Sequence, residues 1–384
     1  MIAKYIFWIS IFLIFYVYVG YCFILKLFSI VKGKLNMTKE ESHIEGSLPF
    51  ITIIITAFNE EKVITKRIDN LLSLNYPKNK IEIIFASDGS TDNTVQLIRN
   101  YKEQDVKLYE FKQNRGRALV HNDIIKVAIG NIIIFSDADS IFEPQFLTNI
   151  ISKFKDTSTG CVVGNLVYKT AESVISKSEG FYWKYEKQLR KYESDLGLLA
   201  TATGACTAIR RNLWKDISAT HDVDFITPLD IILQGFKVVF ETDAIAFDTP
   251  ASSVRGELKT RIRQTSRNLV GTLERWGLRG IFKHPIVSFG LFSHKILRWF
   301  SPYFMLFIFL TNIFMISQND FFTLFFIFQI IFYLFALIGF LGDIIKLKIP
   351  LVSTIYSFCV ANLGMAIGIA KALLGKVPVS WQTH

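Results

Sequence analysis

Two aspartates, Asp137 and Asp139, follow the apolar run at residues 132–135 with a spacing of i and i+2. In extended backbone that spacing sends both carboxylates to one side, because side chains alternate along a strand. Two close carboxylates repel each other unless a cation joins them. Mg²⁺ and Mn²⁺ take few protein oxygens and leave positions for phosphate oxygens, so the pair suits a divalent cation that neutralises a departing nucleotide diphosphate. Asp88 sits after a second apolar run, in Ser87-Asp88-Gly89-Ser90-Thr91-Asp92-Asn93-Thr94. Capping of the next helix accounts for Thr91 and Asp92, whereas Asp88 precedes the cap and can accept hydrogen bonds from a nucleobase or ribose. Arg115-Gly116-Arg117 brings two guanidiniums ahead of a helical pattern, a form suited to phosphate. Taken singly, each feature also has a plain reading as a turn, a cap or a solvated basic loop.

The elements that position these residues recur in order. Residues 51–56 form a β-branched run, followed by the polar Phe58-Asn59-Glu60-Glu61 and then by a helical pattern through Val63, Ile64, Ile68, Leu71 and Leu72. Residues 81–85 repeat the pattern, with a helix from Thr94, and residues 132–135 repeat the strand before Ser136-Asp137-Ala138-Asp139. Alternation of this kind predicts an α/β fold with a mostly parallel, doubly wound sheet. Continuous Ile and Phe runs suit strands buried on both faces, which leaves the acids after them in loops. In such sheets ligands bind beyond the carboxyl ends of the strands.

The ordered set Thr56-Ala57-Phe58-Asn59-Glu60, Ser87-Asp88-Gly89-Ser90-Thr91-Asp92, Gly116-Arg117, Asp137-Ala138-Asp139 and residues 204–211 resembles the family 2 glycosyltransferases, the group of the cellulose, chitin and hyaluronan synthases. The resemblance covers about residues 48–275. It implies a GT-A-type fold, with Ala57, Phe58, Asn59 and Glu60 lining a nucleobase pocket and Asp88 on the uridine side of a nucleotide-sugar donor. It also implies Arg117 and Asp137 near the donor, and Asp139 with Asp137 on a diphosphate-bound metal. Gly204 and Ala205 fall in what resembles the acceptor-side loop, where small residues let a sugar approach the backbone. The family's general base ends a short acidic pair opening a helix. Asp224, in His221-Asp222-Val223-Asp224, matches that position, although Val223 departs from the usual acid and leaves Asp222 as an alternative. Gln264-Thr265-Ser266-Arg267-Asn268 resembles the family's QxxRW signature, with Gln264 and Arg267 facing acceptor and diphosphate. Asn268 replaces the tryptophan that would stack on an acceptor sugar.

Composition adds the membrane. Of 384 residues, 51% are hydrophobic, and a mean hydropathy of +0.33 exceeds what soluble domains show. The excess lies in residues 5–31, 297–317, 321–342 and 350–373, each long enough to span about 30 Å of hydrocarbon. The expected organisation is an N-terminal anchor at 1–34, a glycosyltransferase domain at 45–280, an interfacial helix at 281–296 and a membrane region of three hydrophobic helices at 297–375. Tyr182, Trp183, Lys184, Tyr185, Lys187, Arg190 and Lys191 form a further amphipathic stretch suited to a headgroup layer. The net charge of +10 comes with no zinc, basic-zipper or RNA-binding pattern, so membrane lipid and phosphorylated substrates are the expected partners and nucleic acid is not. Arg255, Lys259, Arg261, Arg263, Arg267, Arg275, Arg279 and Lys283 precede the second apolar block, which predicts an integral membrane protein with a cytoplasmic catalytic domain. Cys22, Cys161, Cys206 and Cys359 show no metal-ligand spacing and require no oxidising compartment.

These residues predict inverting, metal-dependent transfer from a nucleotide sugar, a UDP-sugar by resemblance, to a lipid-linked or saccharide acceptor. A processive polysaccharide synthase is the alternative; it needs a channel, which four apolar segments line only by forming an oligomer. A catalytically silent scaffold for a partner synthase is the third reading, and the intact aspartates oppose it.

Overall fold

The structure, a computed structural model, describes residues 1–35, 48–101, 106–168, 174–249, 254–345, 347 and 349–378. The expected domain start at residue 45 and the side chains of Tyr182 and Arg255 lie outside the described residues. The strands are β1 (Ile51–Ala57), β2 (Ile81–Asp88), β3 (Val106–Phe111), β4 (Ile132–Ser136), β5 (Ile141–Phe142), β6 (Thr159–Tyr168), β7 (Thr207–Arg210) and β8 (Lys237–Asp248). Among the described residues they make one eight-stranded sheet in the order β3-β2-β1-β4-β7-β6-β8-β5. β1 pairs in parallel with β2 and β4, and β2 with β3, as the Ile-rich runs predict. Beyond β4 the sheet becomes mixed: β7 runs antiparallel to both β4 and β6, β8 is parallel to β6, and β5 is antiparallel to β8.

Alternation along β1 divides the core. Ile54 joins one apolar layer with Ile84, Val120 and Ile124, while Ile53 and Ile55 join the other with Ile64, Ile68 and Leu71, all at most 1% exposed. The first layer receives α4 (Arg117–Val127) and the second α2 (Ile64–Leu72), so helices cover both faces of the sheet. Between α2 and α4 lies α3 (Thr94–Arg99). Burial of each such isoleucine stabilises the fold by about 1.5–3 kcal/mol.

At the end of the sheet remote from the strand termini that carry the acids, Glu82 is a buried polar knot. It accepts from Thr52 Oγ1 at 2.5 Å, Lys107 Nζ at 2.6 Å and the Ile129 amide at 3.0 Å, while the Gly130 amide donates to Thr52 Oγ1 at 2.9 Å. Burial favours the neutral acid, but these donors outweigh it and hold the carboxyl below its usual range.

The apolar ends are helical. Among the described residues, three helices are long and apolar enough to cross a membrane: α1 (Ile2–Lys32), α9 (Asp320–Ile344) and α10 (Pro350–Leu373). The apolar stretch expected at 297–317 is broken near its start, and the broken pair together makes one further candidate span. Segment Pro285–Trp299 and α8 (Ser301–Ile313) are bent by 55° at their junction, where Pro302 begins a new helix. The 13 residues of α8 rise only about 20 Å, too short to cross alone. At 281–296 the chain is a series of short helical pieces, with Phe282, Ile286, Phe289 and Phe292 exposed.

The amphipathic helix α5 (Val174–Leu196) also differs from expectation. Tyr185, Leu189 and Tyr192 pack on Tyr21 and Leu25 of α1, so the aromatic face meets another helix of the chain, while Lys184, Lys187 and Lys191 stay exposed. Beneath it, Glu186 accepts from Lys295 at 2.9 Å and Arg298 at 3.1 Å, and His294 lies between Glu186 and Glu193. The last long contact joins α7 (Val254–Gly271) to α10. A Cβ on Gly364 or Gly368 would fall 2.7 Å from Cβ of Arg261 or Thr265, so the two helix backbones approach closely.

A Cβ on Gly130 would meet the Thr52 nitrogen and lie 2.6 Å from the Ile51 carbonyl carbon, both main-chain atoms of β1. Gly130→Ala is expected to cost about 2–4 kcal/mol, read as a lowered melting temperature of the full chain in detergent. Melting like the unsubstituted protein would refute the close approach.

Candidate active site

The sheet direction assembles the site. β1, β2, β4, β6 and β8 all run the same way, so Ala57, Asp88, Ser136, Tyr168 and Asp248 end at one edge. β7 runs the opposite way, so the loop before it, with Gly204 and Ala205, opens onto that same edge. β6 and β7 thus deliver residues some 70 positions downstream of Asp137 to its side without any motif between them.

Two loops are stitched together beside β1. Asn59 adopts φ 58°, a left-handed conformation that asparagine tolerates better than most residues. Its amide donates to Ser90 Oγ at 3.1 Å, and its Oδ1 accepts from the Thr91 amide at 2.8 Å. The Glu60 amide donates to Thr94 Oγ1 at 2.8 Å, and the Glu61 amide to Asp92 Oδ2 at 3.1 Å. Asp92 Oδ1 also accepts from the Thr94 amide at 3.0 Å, which is the expected capping role at the start of α3. Ala57 is buried, whereas Phe58, Asn59 and Glu60 are half-buried at the edge.

Asp88, expected on the uridine side of a donor, ends β2 at this edge. It has no exposed surface, and its two oxygens accept from the amides of Arg115 and Gly116, each at 2.8 Å. Its carboxylate holds the loop that carries Arg117. Gly89, at φ 78°, makes this possible: a Cβ there would lie 2.7 Å from the Gln113 carbonyl carbon.

Arg117 is the centre of the site. Its Nη2 donates to Asp137 Oδ1, and its Nη1 lies 3.4 Å from Asp224 Oδ2. Burial opposes the charge, but Asp137, Asp224, Asp222 and Asp139 outweigh it and keep the guanidinium protonated. Gly204 faces the same pair; a Cβ there would strike Arg117 Nη1 and lie 2.8 Å from the Asp224 carboxyl carbon. Asp224 stands in the first turn of α6 (Val223–Leu233), with Asp222 at the N-cap position. Burial, with Asp222 and Asp137, raises the Asp224 pKa to about 7 against the pull of Arg117.

The other acids crowd the same edge. Burial and then Asp137 raise the pKa of Asp139. Burial, Asp139 and Asp137 raise Asp248 to about 7, and burial with Asp139, Asp137 and Asp92 raises Glu60 to about 7. Mutual repulsion of this kind is relieved by a divalent cation; among the described residues no three acids, histidines or cysteines form a group that could hold one, so Asp137 and Asp139 would need oxygens from a ligand to complete the shell of Mg²⁺ or Mn²⁺.

Gln264 and Arg267 lie on α7, both half-buried, and Arg267 Nε donates to the Pro378 carbonyl at 2.8 Å. Arg263, one turn earlier, loses some basicity to burial while Asp222 and Asp224 partly restore it, so α7 presents its cations toward the start of α6. Three residues escaped sequence reasoning as site members. Asp248 ends a strand, β8, whose alternating Val238, Phe240, Ala244 and Ala246 carry the signal. Arg263 appears in sequence only as one of many basic residues. Arg67 breaks the apolar face of α2 between Ile64 and Ile68, and a cation on a core face was the missed clue.

Residues 52–218 match the model of the family described as Glycosyl transferase family 2, so the chain carries a family 2 glycosyltransferase domain. Poly-beta-1,6-N-acetyl-D-glucosamine synthase of Staphylococcus epidermidis (strain ATCC 35984) is 27% identical over 238 residues, 60% of this chain and 56% of that protein. The protein of the same name from Staphylococcus aureus (strain COL) is 28% identical over 239 residues, 60% and 57% of the two chains. The chain thus spans a little over half the length of the curated relatives it matches. Among solved structures, the mannosyltransferase PcManGT from Pyrobaculum calidifontis, in complex with GDP-Man and Mn²⁺, superimposes with a TM-score of 0.71 at 19% identity, covering 97% of this chain and 99% of that one. The fold is of GT-A type, with apolar helices before and after the domain along the chain.

If Asp88 holds the 115–116 loop, Asp88→Ala releases two amides. Hydrogen–deuterium exchange of a peptide spanning residues 113–117 is expected to accelerate at least tenfold, while β1 peptides keep their protection. Unchanged exchange in that loop would sink the assignment.

Proposed function

We propose that the protein is an inverting, metal-dependent glycosyltransferase that moves a sugar from a nucleotide-sugar donor, a UDP-sugar in the first instance, to a lipid-linked or saccharide acceptor at a membrane. The observation that carries this reading is Asp224 at the start of α6: a carboxylate of raised pKa held against Gly204 and Arg117, at the same edge as the acids suited to a cation. Asp224 takes the proton of the acceptor hydroxyl as that oxygen attacks the anomeric carbon. The bond from that carbon to the diphosphate oxygen breaks on the opposite face, and the configuration inverts. Gly204 and Ala205 belong to the acceptor-side loop, which packs Gly204 against Arg117 and Asp224. Asp137 and Asp139 would hold Mg²⁺ or Mn²⁺, which when bound neutralises the departing diphosphate. Arg267 adds positive charge on the leaving-group side, and Ala57 to Glu60 border the base of the donor, with Asp88 acting through the loop that carries Arg117.

Helix α1 serves as the anchor, the pieces at 281–296 rest at the interface, and α8 to α10 form the membrane region. The basic residues of α7 and the segment after it favour a cytoplasmic catalytic domain. A second reading, processive polymer synthesis, is favoured by the names of the staphylococcal relatives. Asn268 in place of an aromatic platform favours one transfer per binding event. Chain-length analysis of the product separates the two.

Purified full-length protein in lipid, given Mn²⁺ and a panel of UDP-sugars, is expected to release UDP with one donor, and EDTA to abolish release. No release with any donor, with or without lipid acceptors, would count decisively against the enzyme reading and for the silent scaffold. Asp224→Asn is expected to lower turnover by about 10²–10⁴-fold while UDP binding persists. Because the base works ionised and its pKa is raised to about 7, turnover should rise with pH through about 7 and level off above it. A rate flat between pH 5.5 and 8.5 would remove Asp224 from that role.

A further inference from the structure

Arg67 is a cation sealed inside the protein. It lies on the sheet-facing side of α2 with 0% exposure, among Ile64, Ile68 and Leu71. Nη1 donates to Asn70 Oδ1 at 2.7 Å, Nη2 donates to Ser136 Oγ at 2.6 Å, and the guanidinium carbon sits 4.1 Å from the centre of the Phe142 ring. None of these partners is charged, and an isolated buried charge is costly. Its compensation comes from beyond them. Burial lowers the guanidinium pKa against the opposing pull of Asp137, Asp139 and Asp248, to a net value of about 9. Ser136, which accepts from Arg67, immediately precedes Asp137 and donates to the Ala205 carbonyl at 2.8 Å.

Arg117 and Arg67 are cations of different kinds at the acidic edge. Arg117 stands in the cleft, its side chain 21% exposed, and can turn aside for a ligand. Arg67 cannot leave, because Asn70, Ser136 and Phe142 fix it behind the strand end. A fixed positive charge there acts in both directions. It offsets the repulsion of Asp137, Asp139 and Asp248 when they stand alone, and it repels a divalent ion brought to the same carboxylates.

We propose that Arg67 is a built-in countercharge that keeps the metal affinity of the free protein low, so that the cation is held only together with an anionic nucleoside diphosphate. This inference rests on the reading of Asp137 and Asp139 as the metal-holding pair. The diphosphate supplies the negative charge that tips the balance, which makes metal capture a consequence of donor binding. Ser136 and Asn70 orient the guanidinium but contribute no charge.

The test is Mn²⁺ titration of the full chain in lipid nanodiscs, read as the loss of free-Mn²⁺ paramagnetic resonance signal, with and without UDP, alongside thermal melting. The unsubstituted protein should bind Mn²⁺ weakly alone and markedly more tightly with UDP. Arg67→Met should bind Mn²⁺ roughly tenfold more tightly without UDP, from the lost charge repulsion, and show a smaller gain on adding UDP. It should also melt lower without metal and recover more with Mn²⁺ than the unsubstituted protein does. Arg67→Lys should keep the parent pattern, and Ser136→Ala should lower the melting temperature without moving Mn²⁺ affinity. Equal Mn²⁺ affinity in Arg67→Met and the parent, or an equal loss of stability with and without Mn²⁺, overturns the proposal. If Arg67→Met does not fold, the parent alone decides, because Mn²⁺ binding as tight without UDP as with it also overturns the proposal. Absence of Mn²⁺ binding by the parent under every condition defeats the metal reading itself, and this inference with it.

Discussion

Like-charge repulsion governs the functional edge of the sheet. Glu60, Asp137, Asp139, Asp224 and Asp248 arrive there from four separate segments, and each of Glu60, Asp139, Asp224 and Asp248 has its pKa raised partly by the others. A pair of like charges 4 Å apart costs about 1 kcal/mol in water and about 4 kcal/mol at an effective dielectric of 20. A fold that gathers acids in this way needs opposing charge and rigid backbone to keep the edge from opening. Arg117 supplies charge within the cleft, and the surrounding loops supply rigidity.

That rigidity is made by side chains acting on main-chain amides. Asn59 and Asp92 join the loops after β1 and β2, and Asp88 closes the 115–116 loop through two charge-assisted hydrogen bonds. Bonds to an ionised acceptor contribute about 1.5–3 kcal/mol each, more than neutral ones. Glycines complete the frame: Gly89 for its turn and Gly204 for its empty side. The loops therefore present charged groups without drifting, although none of them belongs to a helix or strand over most of its length.

Much of this was legible in the amino-acid sequence, for identifiable reasons. The strand, loop and helix order through Asp139 follows from buried parallel strands, whose Ile runs need no partner to be recognised. The mixed half of the sheet was not legible, because hydrophobic pattern does not encode strand direction and β7 has only 4 residues. Asp137, Asp139, Arg117, Asp224 and Gly204 do converge at one edge. Asp88 was placed correctly at a strand end, yet its partners are amides, and a carboxylate reads the same in sequence whether it holds a ligand or a loop. Arg67 and Asp248 depend on packing between distant segments, which spacing cannot reveal. The aromatic face of α5 shows the converse error: amphipathy reports that a face is covered, and here the cover is α1.

The close packing of α7 on α10 ties two environments together. Gly364 and Gly368 let the helices approach until Arg261 and Thr265 fill the missing side chains, and Arg267 grips the Pro378 carbonyl just beyond α10. Gln264 and Arg267 thus ride on a helix clasped along its length by an apolar one. Tilt or lift of α10, as a change in hydrocarbon thickness imposes on helices that span a bilayer, would displace those side chains relative to Asp224.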